Sequence, residues 1–159
     1  MTMTPRRIIL HCSDTEDGPG NSWPAIRGYH ITVNRWADIG YHYGLERIDG
    51  RIILQSGRAP WTEGAHCKAE GRNHDSLGLC VVGRYDEVAP DDELYDRTVQ
   101  TLAELCFYFQ IRHESVSGHR EFEPGKTCPG LAWDLDRLRA DIGARLYRDP
   151  RPLKAHLMR

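Results

Sequence analysis

The sequence predicts one α/β (α+β) domain, a central mixed β-sheet with about three main helices packed on it. Three observations carry that expectation. Asp49-Gly50 tolerates the positive φ angles of a tight turn and separates two runs of strand character, 41–48 and 51–55, which marks a hairpin. Residues 77–82 form a continuous apolar run closed by Gly83, too short for a helix and suited to a strand buried on both faces at the centre of the sheet. Two longer segments, 91–111 and 134–147, carry apolar residues at the helical period.

In chain order, residues 6–10 are β-branched and apolar and read as a first strand ending in His11-Cys12-Ser13, followed by a turn-rich loop. Residues 25–36 place Ile26, Tyr29, His30 and Val33 at helical spacing, with Ser22 as cap and Pro24 in the first turn, which predicts a helix. The hairpin and the buried strand come next. In the long helix of 91–111, Leu94, Leu102, Leu105, Cys106 and Phe109 form the buried stripe, and acidic residues crowd the first turn as the helix dipole favours. After a short strand and a loop rich in turn formers, Asp134 caps a last helix with Leu135, Leu138, Ile142 and Leu146 on one stripe. No repeat or linker divides the chain, so the domain is expected to span 1–147. Residues 148–159, with Pro150, Pro152 and several basic side chains, are expected to be a flexible basic tail.

The 159 residues suit one core that buries roughly 68–70% of the surface of the unfolded chain. With 40% hydrophobic and 28% charged residues, the composition is that of a globular protein rather than a disordered one. A formal charge of -2 gives no field toward nucleic acid, and no apolar stretch is long enough for membrane insertion. The apolar run at 8–10 is too short for a secretory signal, so synthesis in the cytoplasm is expected. The chain is expected to be a monomer. Five cysteines, an odd number without dense spacing, read as reduced thiols. Cys67, Cys80 and Cys106 read as small core or near-surface residues, which leaves Cys12 and Cys128.

His11 and Cys12 must face opposite sides of a strand, so they cannot chelate one ion together. His119 and Cys128 lie in the loop before the last helix, nine positions apart, unlike a zinc finger. Together His11, His119 and Cys128 offer two imidazoles and a thiolate. That set would leave a tetrahedral zinc with one position open for water, the arrangement of a catalytic centre. In a competing reading Cys128 is a nucleophile with His119 as its base, which leaves His11 without a role.

Beyond these residues stand Ile26-Arg27 with His30, Trp36 with Asp38-Ile39-Gly40-Tyr41-His42, and Gly64-Ala65-His66. Then come Asn73, Ser76-Leu77-Gly78, Val82-Gly83, Gly118-His119-Arg120-Glu121 and Lys126-Thr127-Cys128-Pro129-Gly130. In this order and spacing the chain resembles the zinc-dependent N-acetylmuramoyl-L-alanine amidases, the group of phage amidase-type lysozymes and peptidoglycan recognition proteins. The resemblance implies zinc held by His11, His119 and Cys128, with Tyr41 and Lys126 assisting hydrolysis of the amide between N-acetylmuramic acid and L-alanine in bacterial peptidoglycan. Small size and the missing signal point, with it, to a phage or prophage endolysin that accumulates in the cytoplasm and reaches the wall once a separate membrane-permeabilising protein has acted. A related recycling group carries aspartate in place of Cys128, and members that lost the cysteine bind wall without cutting it. The alternative is therefore a non-catalytic wall-binding or regulatory module that retains a structural zinc.

The remaining residues carry open readings. His66 is a candidate for substrate contact or for pairing with backbone, and Asn73 for substrate contact or for stabilising a turn. His42 is expected to point away from Tyr41 and to be structural, and His30 to pack inside its helix.

Overall fold

The structure is a computed structural model and describes residues 2–16 and 18–148; the expected tail lies outside them from residue 149 onward. Its elements are β1 (Arg7–Cys12), α1 (Trp23–Thr32), β2 (Tyr43–Ile48), β3 (Arg51–Ser56), β4 (Ser76–Val81), α2 (Asp92–Phe109), β5 (Val116–Gly118) and α3 (Leu135–Arg148). The strands form one five-stranded mixed sheet in the order β3-β2-β4-β1-β5. All pairs are parallel except the β2–β3 hairpin, which turns at Asp49 (φ 49°) and Gly50 (φ 75°) as the dipeptide predicts.

β4 lies at the centre with every residue buried, as a continuous apolar run requires. One sheet face carries Ile8, Leu10, Cys12, Leu77, Leu79 and Val81, packed against Leu94, Leu102 and Leu105 of α2 and Leu138 and Ile142 of α3. Each fully buried Leu or Ile there contributes about 1.5–3 kcal/mol of transfer free energy. The other face is covered by α1 through Trp23 and Ile26, which pack with Ile39, Tyr41, Cys80 and Val82. Period-two alternation therefore sends Cys12 into the main core and His11 to the α1 face, the expected separation of the two neighbours.

Local chemistry sets the ends of the helices. The Asp91 side chain accepts the Leu94 N–H at 2.8 Å, and Gln110 closes α2 in the left-handed region (φ 55°). Asp134 accepts the Arg137 N–H at 2.9 Å and starts α3. α1 departs from expectation in three ways. It ends at Thr32 rather than Trp36, and Tyr29 and Val33 are exposed, so its inward stripe is Trp23, Ile26 and His30. Ser22 occupies the cap position without a side-chain hydrogen bond. The buried Glu46 of β2 accepts the Trp23 N–H at 3.0 Å instead, and its other oxygen accepts from Gln55 at 2.8 Å. An anion at this helix end comes from a distant strand, which favours the dipole as well as a local cap does.

Candidate active site

The site is built on the α1 face at the C-terminal end of β1. His11 is fully buried there, in register with Cys80 of β4. Its Nε2 lies 3.0 Å from Nδ1 of His66, whose Nε2 faces the Ser76 carbonyl at 3.3 Å. A carbonyl only accepts, so His66 carries its proton on Nε2 and accepts at Nδ1. His11 is then the donor at Nε2, and its Nδ1 is left with a free lone pair 3.5 Å from Cys128 Sγ.

His66 fits against backbone because two glycines leave room. A Cβ on Gly64 would lie 2.4 Å from its ring, and one on Gly78 would lie 2.7 Å away. Burial holds this cluster neutral. His66 is pushed down to about 3, chiefly by burial and then by His42, and His11 is lowered well below the usual imidazole value for the same leading reason. His42 is pushed down to about 4 by burial; its Nδ1 accepts the Gly78 N–H and its Nε2 donates to the Thr62 carbonyl, both at 2.9 Å. Asn73 serves the same loop, its Oδ1 accepting the N–H groups of His66 and Cys67 at 2.8 Å each.

The opposite wall is a loop. His119 opens the turn after β5, with its Nε2 3.2 Å from Glu123 Oε2. A carboxylate also only accepts, so His119 carries its proton on Nε2 and likewise offers Nδ1. Cys128 returns to the same place because Arg120 N–H donates to its carbonyl at 2.8 Å. The Arg120 guanidinium binds the Gly130 and Trp133 carbonyls beyond it. Asp86 accepts from Thr127 Oγ1 and from the Leu131 N–H, both at 3.1 Å, one on each side of the cysteine.

The donor atoms of His11, His119 and Cys128 all lie within 4.8 Å of one another. The separation of His11 Nδ1 and Cys128 Sγ is close to the roughly 3.5 Å expected of two ligands on one tetrahedral ion with bonds of about 2.0–2.3 Å. As a thiol nucleophile Cys128 is poorly placed. Its hydrogen bond to Cys12 and then its burial push the thiol up, the reverse of activation.

Tyr41 lies against His11 with ring centroids 5.2 Å apart, and burial raises its phenol well above the usual value, so it stays protonated. It precedes β2, which begins at Tyr43 rather than Tyr41, and strand alternation has not begun there. Tyr41 and His42 consequently both have ring contacts with His66, against the expectation that they face apart. His30 does more than pack in its helix: Nδ1 accepts the Gly40 N–H at 3.1 Å and its ring lies 5.6 Å from that of Tyr41. Arg58, which no motif singled out, donates to the Ile39 and Glu63 carbonyls at 2.7 Å and to that of Asp38 at 3.2 Å, while its own N–H donates to the Tyr41 carbonyl at 3.0 Å. One guanidinium thus fixes the segment that presents Tyr41. Lys126 is half exposed, and Glu123 was also missed; its place between His119 and Lys126 is a helical-turn spacing legible only once both neighbours are assigned.

Comparisons with known proteins agree with this architecture. The N-acetylmuramoyl-L-alanine amidase family model matches residues 1–131. The endolysin of Escherichia phage T7 is 33% identical over 133 residues, 82% of this chain and 82% of that protein. Peptidoglycan-recognition protein SD of Drosophila melanogaster is 30% identical over 138 residues, 82% of this chain and 70% of its own length. Among solved structures, the endolysin amidase LysCS of Clostridium intestinale URNW shares the fold, with a TM-score of 0.74 at 20% identity over 89% of this chain and 85% of its own. A family match over most of the chain and a relative 33% identical over 82% of both chains lead to one conclusion: the chain belongs to the N-acetylmuramoyl-L-alanine amidase family.

Proposed function

We propose that the protein is a zinc hydrolase of the phage endolysin type, cutting the amide between the lactyl carboxyl of N-acetylmuramic acid and the amino group of L-alanine in peptidoglycan. The observation that carries this reading is the convergence of His11, His119 and Cys128 from a strand and a loop onto one point. Two neutral imidazoles and a sulfur form a donor set suited to zinc, and a cation among them favours the thiolate over the thiol. A zinc ion held by these three residues would activate water for attack at neutral pH and would polarise the carbonyl.

The protein's own side chains do the rest. His66 turns Nδ1 of His11 toward the metal, and Asn73 shapes the loop that carries His66. Lys126 presents an ammonium to the negative charge that grows on the amide oxygen as water attacks the carbonyl carbon. Tyr41, kept protonated by burial, donates a hydrogen bond to the same oxygen or holds the attacking water. The C–N bond breaks, the amine leaves with a proton, and a carboxylate remains on the sugar. The catalytic unit we assign is residues 1–147, acting as a monomer on the wall after a separate protein has opened the membrane. Among the described residues no helix is long and apolar enough to cross a membrane.

The test is hydrolysis of a wall suspension by purified, zinc-loaded protein. Expected are new peptide amino termini without new sugar reducing ends, and loss of about 10³-fold or more in rate with a chelator or in Cys128→Ala. New reducing ends would overturn the amidase assignment. Wall binding without turnover by the fully zinc-loaded protein would leave only a binding module.

A further inference from the structure

Glu123 lies between His119 and Lys126, in hydrogen-bond contact with the first and at ion-pair distance from the second. Its Oε2 lies 3.2 Å from Nε2 of His119, and its Oε1 lies 3.9 Å from Nζ of Lys126. A backbone hydrogen bond from Lys126 N–H to the Glu123 carbonyl, 3.1 Å, closes the turn that brings the two side chains to one side. The His119 side chain is 13% exposed, whereas those of Glu123 and Lys126 are 41% and 52% exposed. The carboxylate therefore bridges from the largely buried imidazole to the solvent-facing cation.

We infer that Glu123 is a positioning residue for this site, one carboxylate oxygen holding His119 with Nδ1 toward the metal and the other tethering the Lys126 ammonium beside it. This inference rests on the amidase reading above. Two physical arguments carry it. A metal-binding imidazole is oriented by whatever accepts its second N–H, and for His119 that acceptor is Glu123. Lys126 stands on an exposed loop, and a lysine side chain free to sample its rotamers spends little time over one reacting oxygen. An ion pair this exposed adds little to stability, so its effect belongs to metal affinity and turnover rather than to folding.

Glu123→Gln and Glu123→Ala separate the two oxygens. Glutamine keeps an acceptor for His119 Nε2–H but removes the charge that holds Lys126; alanine removes both. The full chain is measured for zinc affinity by competition with a chromophoric chelator, and when loaded, for kcat and KM on wall fragments. Glu123→Ala is expected to weaken zinc about 10–100-fold and to lower kcat. Glu123→Gln is expected to keep zinc affinity within about threefold while kcat falls about tenfold with KM nearly unchanged, and to lower kcat no further when Lys126→Ala is already present.

An unchanged zinc affinity in Glu123→Ala, or an unchanged kcat in Glu123→Gln, overturns the inference while an active wild type leaves the amidase reading standing. A wild-type chain that binds no zinc or cuts no amide overturns both. Melting temperatures of the two variants near that of the wild type separate these effects from misfolding.

Discussion

His11 and His119 offer the same ring nitrogen to the same point, but they are held by opposite kinds of structure. His11 stands on a strand at the heart of the sheet, and its outer partner is a neutral ring, His66, itself tied to a backbone carbonyl in a pocket closed to water. His119 stands on a loop, and its outer partner is a charged, partly exposed carboxylate four positions along the same turn. The first half of the site is set by packing and belongs to the folding core. The second is set by local hydrogen bonds and electrostatics, so it can be altered with little cost to stability. A centre made this way has one wall to define geometry and one wall free to carry the charged groups that chemistry needs.

The largest expected effect that tests this contrast is at His66. His66→Ala empties a buried site and leaves His11 Nε2–H and the Ser76 carbonyl without their partner. The protein should lose about 2–4 kcal/mol of stability in chemical denaturation and bind zinc about 10–100-fold more weakly. Wild-type stability in this variant would sink the idea that the strand-built half belongs to the core. Lys126→Ala probes the other wall. Its kcat should fall about 10²-fold, while the denaturation midpoint shifts by no more than about 0.5 kcal/mol equivalent. A large loss of stability there would erase the distinction between the two halves.

A smaller effect concerns pH. His66 and His42 are held neutral, down to about 3 and about 4, whereas in the unfolded chain they titrate near 6.5. As pH falls below about 6.5 the unfolded chain takes up protons that the folded one refuses, so the metal-free protein loses stability from there toward about pH 4. Each ring contributes about 1.4 kcal/mol per pH unit, and their contribution is fully present above about pH 6.5. Thermal melts of metal-free protein at pH 7, 6 and 5 measure it, and a flat profile would show that these rings are solvated.

What was legible in the sequence follows the same division. β4 announces itself because burial on both faces leaves no polar residue in its apolar run, and α2 and α3 because a single stripe of leucines meets the sheet. That His11, His119 and Cys128 come together was legible from residue chemistry joined to the order of motifs. Half of the α1 stripe is legible: Ile26 and His30 face inward as the spacing predicts, but Tyr29 and Val33 face solvent, and Trp23 takes an inward place because it serves the hairpin. The contacts that orient the site were hidden for a plainer reason. His11 meets His66 across 55 positions, Glu46 reaches the start of α1 from another strand, and Arg58 binds carbonyls, which every residue has. No residue type or spacing announces a bond of that kind.

The bare backbone at Gly78 limits how this protein can be strengthened. β4 is the strand a designer would choose for more β-branched bulk, because it is central and short of side-chain volume at that position. Valine there would gain strand propensity but collide with the His66 ring, so the substitution most favourable to the sheet dislodges the partner of His11. Thermostable versions must therefore be sought on the far side of the sheet, among the residues under α2 and α3.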